Sequence, residues 1–283
     1  MNENTSNPAP RRRRRKKKKN LRVVLIILCI VLLCVFGFSA YKVISTMYGY
    51  KQAEKTYTEV ANQFATVVSS PTPVPVEENT STEEEEEKDK IDPEVSPLHI
   101  DFAGLRAQST DYVAWIYSPD TKINYPIAYT DNNFYYLDHI PGEQVNSNGT
   151  IFIDCRNASD FSDQNTCIYG HNMNDGSMFA SLRDYREASY YNDHPVIYLS
   201  TPDFNYRLDL IAGLITEPTS FAYVSNFQSD DQFLHHVETL KSLSTFQSDV
   251  EVGPDDKIVT LSTCTYERDD GRYIVVGKLT QIH

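Results

Sequence analysis

Residues 257–279 read KIVTLSTCTYERDDGRYIVVGKL. Two runs rich in Ile, Val, Leu and Thr flank an acidic turn, which predicts two strands, KIVTLSTC (257–264) and RYIVVGKLT (272–280). If these are antiparallel neighbours, Cys264 at the tip of the first and Arg272 at the start of the second share one end of a sheet. The chain has five cysteines, and Cys29 and Cys34 sit in an apolar run near the N-terminus, where a thiol behaves as a small hydrophobe. Cys155, Cys167 and Cys264 remain, so at least one thiol is left unpaired. Cys155 and Cys167 end and begin neighbouring strands and could form a bridge or simply pack half-buried. No CxxC or HxxxH spacing is present, which argues against a metal site.

Working outward, strand-like segments recur from residue 98 onward: YVAWIYS (112–118), KINYPIAY (122–129), GTIFIDC (149–155), TCIYG (166–170), PVIYLST (195–201) and FNYRLDLIAGLIT (204–216) precede the two above. Helical pattern is confined to LHIDFAGLRAQS (98–109), SMFASLRDY (177–185) and QFLHHVETLKSL (232–243), the last placing Phe233, Val237 and Leu240 on one face. Eight short strands with few helices predict a mainly β domain over residues 98–283, closed or nearly closed on itself.

The chain before it has a different texture. RRRRRKKKK (11–19) precedes an uncharged run from Val23 to Tyr41. Nineteen residues at about 1.5 Å each reach roughly 28 Å, close to the thickness of a bilayer core. Residues 1–20 are therefore expected to form a basic cytoplasmic tail and 21–41 a transmembrane helix, with everything beyond outside. Residues 42–97 are expected to form a juxtamembrane segment and a disordered stalk, since SSPTPVPVEENTSTEEEEEKDKIDPEVSP (69–97) holds few large apolar residues. Beyond Arg22 the chain carries 16 basic and 38 acidic residues, a net charge of −22, which makes nucleic acid a poor partner.

A thiol is an effective nucleophile when a base stands beside it and a cation or N–H group can receive oxyanion charge. Of the seven histidines, His171 stands apart, because it follows the apolar strand CIYG directly and opens the turn HNMNDGS. Alone, a turn histidine is commonly a surface residue, and Arg272 could simply pair with Asp269 or Asp270. Together they outline a Cys-His-Arg site.

TLSTC (260–264) resembles the signature of the sortases, membrane-anchored cysteine transpeptidases of Gram-positive bacteria. WIYSPDTKINYPIAYTDNNFYYL (115–137), GTIFIDCRN (149–157), YGHNMNDGSMFASLRDY (169–185) and DKIVTLSTCTYERDDGRYIVVGKL (256–279) are similar to class B, in that family's order. The resemblance implies an eight-stranded sortase β-barrel with an N-terminal helical segment and a helix between strands six and seven. It implies Cys264 as nucleophile, His171 as proton carrier and Arg272 as oxyanion donor aided by a backbone N–H near the cysteine, with no cofactor. Ser262, Thr263 and Tyr266 are expected to touch substrate by adjacency, and the helix over Phe233–Leu243 to form a specificity wall.

The implied reaction cleaves a C-terminal sorting signal of a secreted protein after threonine, with Asn-Pro-X-Thr favoured over Leu-Pro-X-Thr-Gly. The acyl group then passes to an amine of the peptidoglycan precursor. The rival readings are a pilin-polymerising sortase, a cell-wall cysteine peptidase and a non-enzymatic surface module. Pilin sortases of class C usually carry an Asp-Pro-aromatic lid, whereas the nearest match here is Asp92-Pro93-Glu94.

Overall fold

The alternating segments form eight strands: β1 (Tyr112–Tyr117), β2 (Asn124–Ala128), β3 (Ile151–Ile153), β4 (Asn165–Tyr169), β5 (Val196–Ser200), β6 (Asn205–Thr216), β7 (Lys257–Cys264) and β8 (Arg272–Ile282). The structure, a computed structural model, describes residues 12–68, 94–142, 144–265 and 270–283. Residues 1–11, the acidic stretch 69–93, residue 143 and the loop 266–269 containing Tyr266 lie outside the described residues. The strands close into a barrel in the order β6-β8-β7-β4-β3-β2-β1-β5, with β5 pairing back onto β6. Neighbours are antiparallel except for β2 with β3 and β4 with β7.

Two faces follow from the two-residue period of a strand. Ile258, Ile274 and Val276 pack outward against Phe233, Val237 and Leu240 of a helix between β6 and β7, here α4 (Asp230–Ser242). Val259, Leu261, Tyr273 and Val275 are buried on the opposite face. The α4 helix starts where Ser229 accepts a hydrogen bond from Gln232 N, has Asp230 and Asp231 in its first turn and ends near Lys241, as the helix dipole favours. Burial of its three apolar anchors contributes about 1.5–3 kcal/mol each.

His236 lies on the same helix, buried beside the rings of Phe221 and Phe227 at 5.6 and 4.8 Å. Burial pushes its imidazole down from the ordinary 6.5 to about 4. Between those values the unfolded chain binds a proton that the folded chain refuses, so the fold loses stability as the pH falls through that window. The expected slope is up to about 1.4 kcal/mol per pH unit. Melting temperatures measured between pH 7 and 4 should show it, and His236→Phe should flatten it.

The N-terminal helix runs on through the juxtamembrane segment. Helix α1 (Arg12–Phe64) has exposed side chains throughout 21–39, and Leu21–Phe64 is long and apolar enough to cross a membrane. Contacts divide the chain into Met1–Lys51 and Gln52–His283, so the end of α1 belongs with the barrel unit. Ala53, Tyr57 and Phe64 are buried, a helical stripe that looks loose in sequence because its members differ so much in size. The Tyr57 hydroxyl donates to Gly149 O, and burial pushes that phenol up, so it stays protonated. Phe64 packs with Leu98, Ile100, Leu105, Tyr112 and Trp115.

Residues Ala65–Val67 pair antiparallel with Leu98–Ile100, and Val68 N donates to Pro97 O at 2.9 Å. The described residues on either side of 69–93 therefore meet in one two-stranded ribbon. The expected helix over 98–109 is a strand followed by α2 (Phe102–Gln108), capped by Asp101. The 177–185 segment is a 3-10 turn series, Ala180–Arg186, followed by a short α3 (Ala188–Asp193).

Candidate active site

Strand register brings the three reactive residues together. Antiparallel pairing sets Cys264 directly opposite Arg272. Parallel pairing sets Ser262 beside Tyr169, so two residues further along both chains Cys264 and His171 are level. Past the end of the ladder, Gly170 N donates to Ser262 O at 3.1 Å and Thr263 Oγ1 donates to Gly170 O at 2.8 Å, which extends the register to the strand tip.

The turn holding His171 is fixed by packing. A Cβ on Gly170 would fall 2.6 Å from the Phe179 ring, so this position needs glycine. Phe179 N donates to His171 O at 2.9 Å, and the imidazole Nε2 lies 2.6 Å from Leu137 O. A carbonyl can only accept, so Nε2 carries a hydrogen and Nδ1 is left for exchange with a reacting group. Asn172, the next residue, donates from Nδ2 to Cys264 O at 2.8 Å and so anchors the carbonyl of Cys264.

Cys264, His171 and Arg272 line a cavity of about 360 Å³, with Leu137, Tyr169, Pro218 and Tyr223 among its other walls. Cys264 is half-buried. Arg272 Nη1 donates to the carbonyls of Asp270 and Gly271, both at 3.1 Å. The N–H following the cysteine, that of Thr265, donates to Gly271 O at 2.9 Å and is engaged in the strand pair. The Arg272 guanidinium is thus a strong donor at the Cys264 end of the cavity.

Ser262 and Thr263 also line the cavity, but their hydroxyls are engaged within the protein. Ser262 Oγ is 2.9 Å from Tyr223 OH, and Thr263 binds the Gly170 carbonyl. Burial pushes the Tyr223 phenol up to about 12, so it remains a neutral donor. The side chains of α4 pack onto the barrel, and on this side the cavity wall comes from Pro218 and Tyr223 in the connection before that helix.

A buried carboxylate organises another part of the wall. Burial pushes Asp154 up, but hydrogen bonds from Arg156, Tyr169 and Asn133 outweigh it and hold the carboxyl well below its usual range. Asn133, Arg156 and Tyr169 all reach the cavity. Sequence reading missed this group, along with Asn172 and Tyr223, because each acts through a partner distant in the chain. Asn172 alone had a local signal, its adjacency to His171.

The other two outer cysteines are free thiols. Asp154 N donates to Cys167 O, so Cys167 lies across from Asp154 and Cys155 is one residue out of step, on the other face. Burial pushes the Cys167 thiol up to about 12, which makes it inert packing. Among the described residues no cluster of His, Cys, Asp and Glu could hold a metal ion.

Residues 116–280 match the Sortase domain family. Sortase B of Listeria monocytogenes is 39% identical over 178 residues, covering 62% of this chain and 72% of that protein. The structure of Bacillus anthracis sortase B in complex with AAEK2 superposes with a TM-score of 0.66 at 30% identity, covering 83% of this chain and 98% of the other. A Staphylococcus aureus sortase B–substrate complex gives a TM-score of 0.61 at 31% identity, covering 64% of this chain and 85% of the other. With the eight-stranded barrel, the helix between its sixth and seventh strands and these likenesses in hand, the chain belongs to the sortase family of cysteine transpeptidases, in its class B.

Proposed function

We propose that this sortase cleaves a sorting signal of the Asn-Pro-X-Thr type after threonine and passes the acyl group to an amine of the peptidoglycan precursor. The observation that carries the assignment of roles is the strand register, which sets Cys264 beside both His171 and Arg272. Binding of a sorting signal is further supported by the similar Staphylococcus aureus structure, a substrate complex. With the thiol proton passed to His171 Nδ1, the Cys264 sulfur attacks the threonine carbonyl and forms a C–S bond. The carbonyl π pair moves to oxygen to give an oxyanion opposite the Arg272 guanidinium. The C–N bond then breaks as His171 delivers a proton from Nδ1 to the leaving amine, leaving a thioester. An incoming amine attacks that thioester, His171 takes up its proton, and the thiolate departs. Ser262 and Thr263 shape the wall against which the signal lies.

Residues 21–41 of α1 anchor the chain in the cell membrane, the basic residues before them stay in the cytoplasm, and the barrel works outside. Arg272→Ala should lower kcat/KM by about 10²–10³-fold, the usual effect of losing an oxyanion donor. Arg272→Lys should recover only part of it, because an ammonium lacks the planar fork. The test of the whole reading uses the full chain in detergent with Asn-Pro-X-Thr and Leu-Pro-X-Thr-Gly peptides and a glycine oligomer, with products read by mass spectrometry. Cleavage after threonine joined to glycine supports it. Free acid alone would indicate a hydrolase, and acceptance of a lysine side chain in preference to glycine would indicate pilin assembly.

A further inference from the structure

We propose that Arg186 is a positioning residue that sets the tips of both catalytic strands from the face opposite the cavity. The inference rests on the assignment of Cys264, His171 and Arg272 as the reacting groups. Arg186 closes the 3-10 segment Ala180–Arg186, which leaves the turn carrying His171. Its Nη2 donates to Thr265 Oγ1 at 2.8 Å, and its guanidinium carbon stands 5.4 Å from the centre of the Tyr273 ring.

Thr265 directly follows Cys264, and Tyr273 directly follows Arg272. Strand alternation turns both to the face away from the cavity, and they are 4% and 0% exposed. One guanidinium therefore touches the neighbour of the nucleophile and the neighbour of the oxyanion donor at once. A second tie runs in parallel. Thr245 Oγ1 is 2.7 Å from Tyr273 OH and 2.8 Å from the carbonyl of Tyr185, the residue before Arg186. The start of the same segment is tied to His171 through Phe179 N. A single stretch, residues 171–186, thus connects to all three reacting groups, with Arg186 touching the chain neighbours of two of them.

The residue type suits the task. A guanidinium stacks on an aromatic face while donating in its own plane, and an ammonium cannot do both. Displacement of a reacting group by about 1 Å can cost on the order of 10²-fold in rate. The loss should appear in kcat, because Arg186 lies across the sheet from the bound signal.

The test compares Arg186→Met, Arg186→Lys, Thr265→Val and the Met/Val double variant in the full chain, with Cys264→Ala as control. Transfer of an Asn-Pro-X-Thr or Leu-Pro-X-Thr-Gly peptide to a glycine oligomer is followed together with the melting temperature. Arg186→Met should lower kcat about 10- to 100-fold with KM within about twofold of wild type. Thr265→Val should lose kcat in the same way, the double variant should be no slower than the slower single, and Arg186→Lys should recover part of the rate. Wild-type kcat in folded Arg186→Met, or losses that multiply in the double variant, would overturn the proposal. Should Arg186→Met fail to fold, Thr265→Val decides alone, since it removes only the hydroxyl that Arg186 holds. Wild-type transfer by Cys264→Ala, or none by wild type, would sink the underlying assignment instead.

Discussion

Cys264→Ala is expected to abolish transfer, lowering kcat by more than about 10⁴-fold, while leaving the melting temperature within a few degrees of wild type. The rate falls because without sulfur no thioester forms, and neither the hydroxyls nor the other thiols can replace it. Cys167 is buried with its thiol pushed up to about 12, and Cys155 lies on the other face of its strand pair. Stability should hold because Cys264 is half-buried at a strand tip, and the strand is fixed by contacts that do not involve sulfur. Thr263 holds Gly170, Asn172 holds the Cys264 carbonyl, and Thr265 pairs with Gly271. Alkylation of wild type at Cys264 should reproduce the loss, and peptide transfer with circular-dichroism melts checks both halves.

His171→Ala is the second large effect, a fall of about 10²–10⁴-fold in kcat. The imidazole is oriented by the Leu137 carbonyl at 2.6 Å, and that bond commits Nε2 as a donor and leaves Nδ1 for the proton. Removing the ring leaves the leaving amine without an acid and the incoming amine without a base, so both half-reactions should slow. Both can be read separately, the first by release of the signal's C-terminal fragment and the second by the rise in product with increasing amine. A variant slowed in one step alone would contradict the double role. His171→Gln, which offers a donor to Leu137 O but no titratable nitrogen, should fare no better than alanine.

How far the chain could be read in advance depended on whether a signal was local. The strands were legible because Ile, Val, Tyr and Phe alternate between turn residues, and all eight fall within two residues or so of their expected bounds. That Cys264, His171 and Arg272 come together was legible because each abuts a strand end, and strand ends gather at a barrel rim. The Ala53–Tyr57–Phe64 stripe was harder to see, since small and aromatic residues share a helical face only when the surface opposite demands it. Ribbon pairing of Ala65–Val67 with Leu98–Ile100 across a long acidic stretch had no local signal at all. The backbone partners were invisible for a different reason. The Leu137 carbonyl that orients His171 and the Gly271 carbonyl that occupies Thr265 N carry no side-chain signature. Arg186 reaches Thr265 across 79 positions of chain, so only the closed barrel shows that they meet.

The account stands most directly on one covalent bond. The full chain is mixed with an Asn-Pro-X-Thr or Leu-Pro-X-Thr-Gly peptide in the absence of amine, quenched in acid, digested and mapped by mass spectrometry. The account predicts an adduct equal to the signal up to its threonine, linked to Cys264 and released by neutral hydroxylamine. Product formation with the adduct on another residue, or with no acyl-enzyme at Cys264 under any quench time, would contradict it.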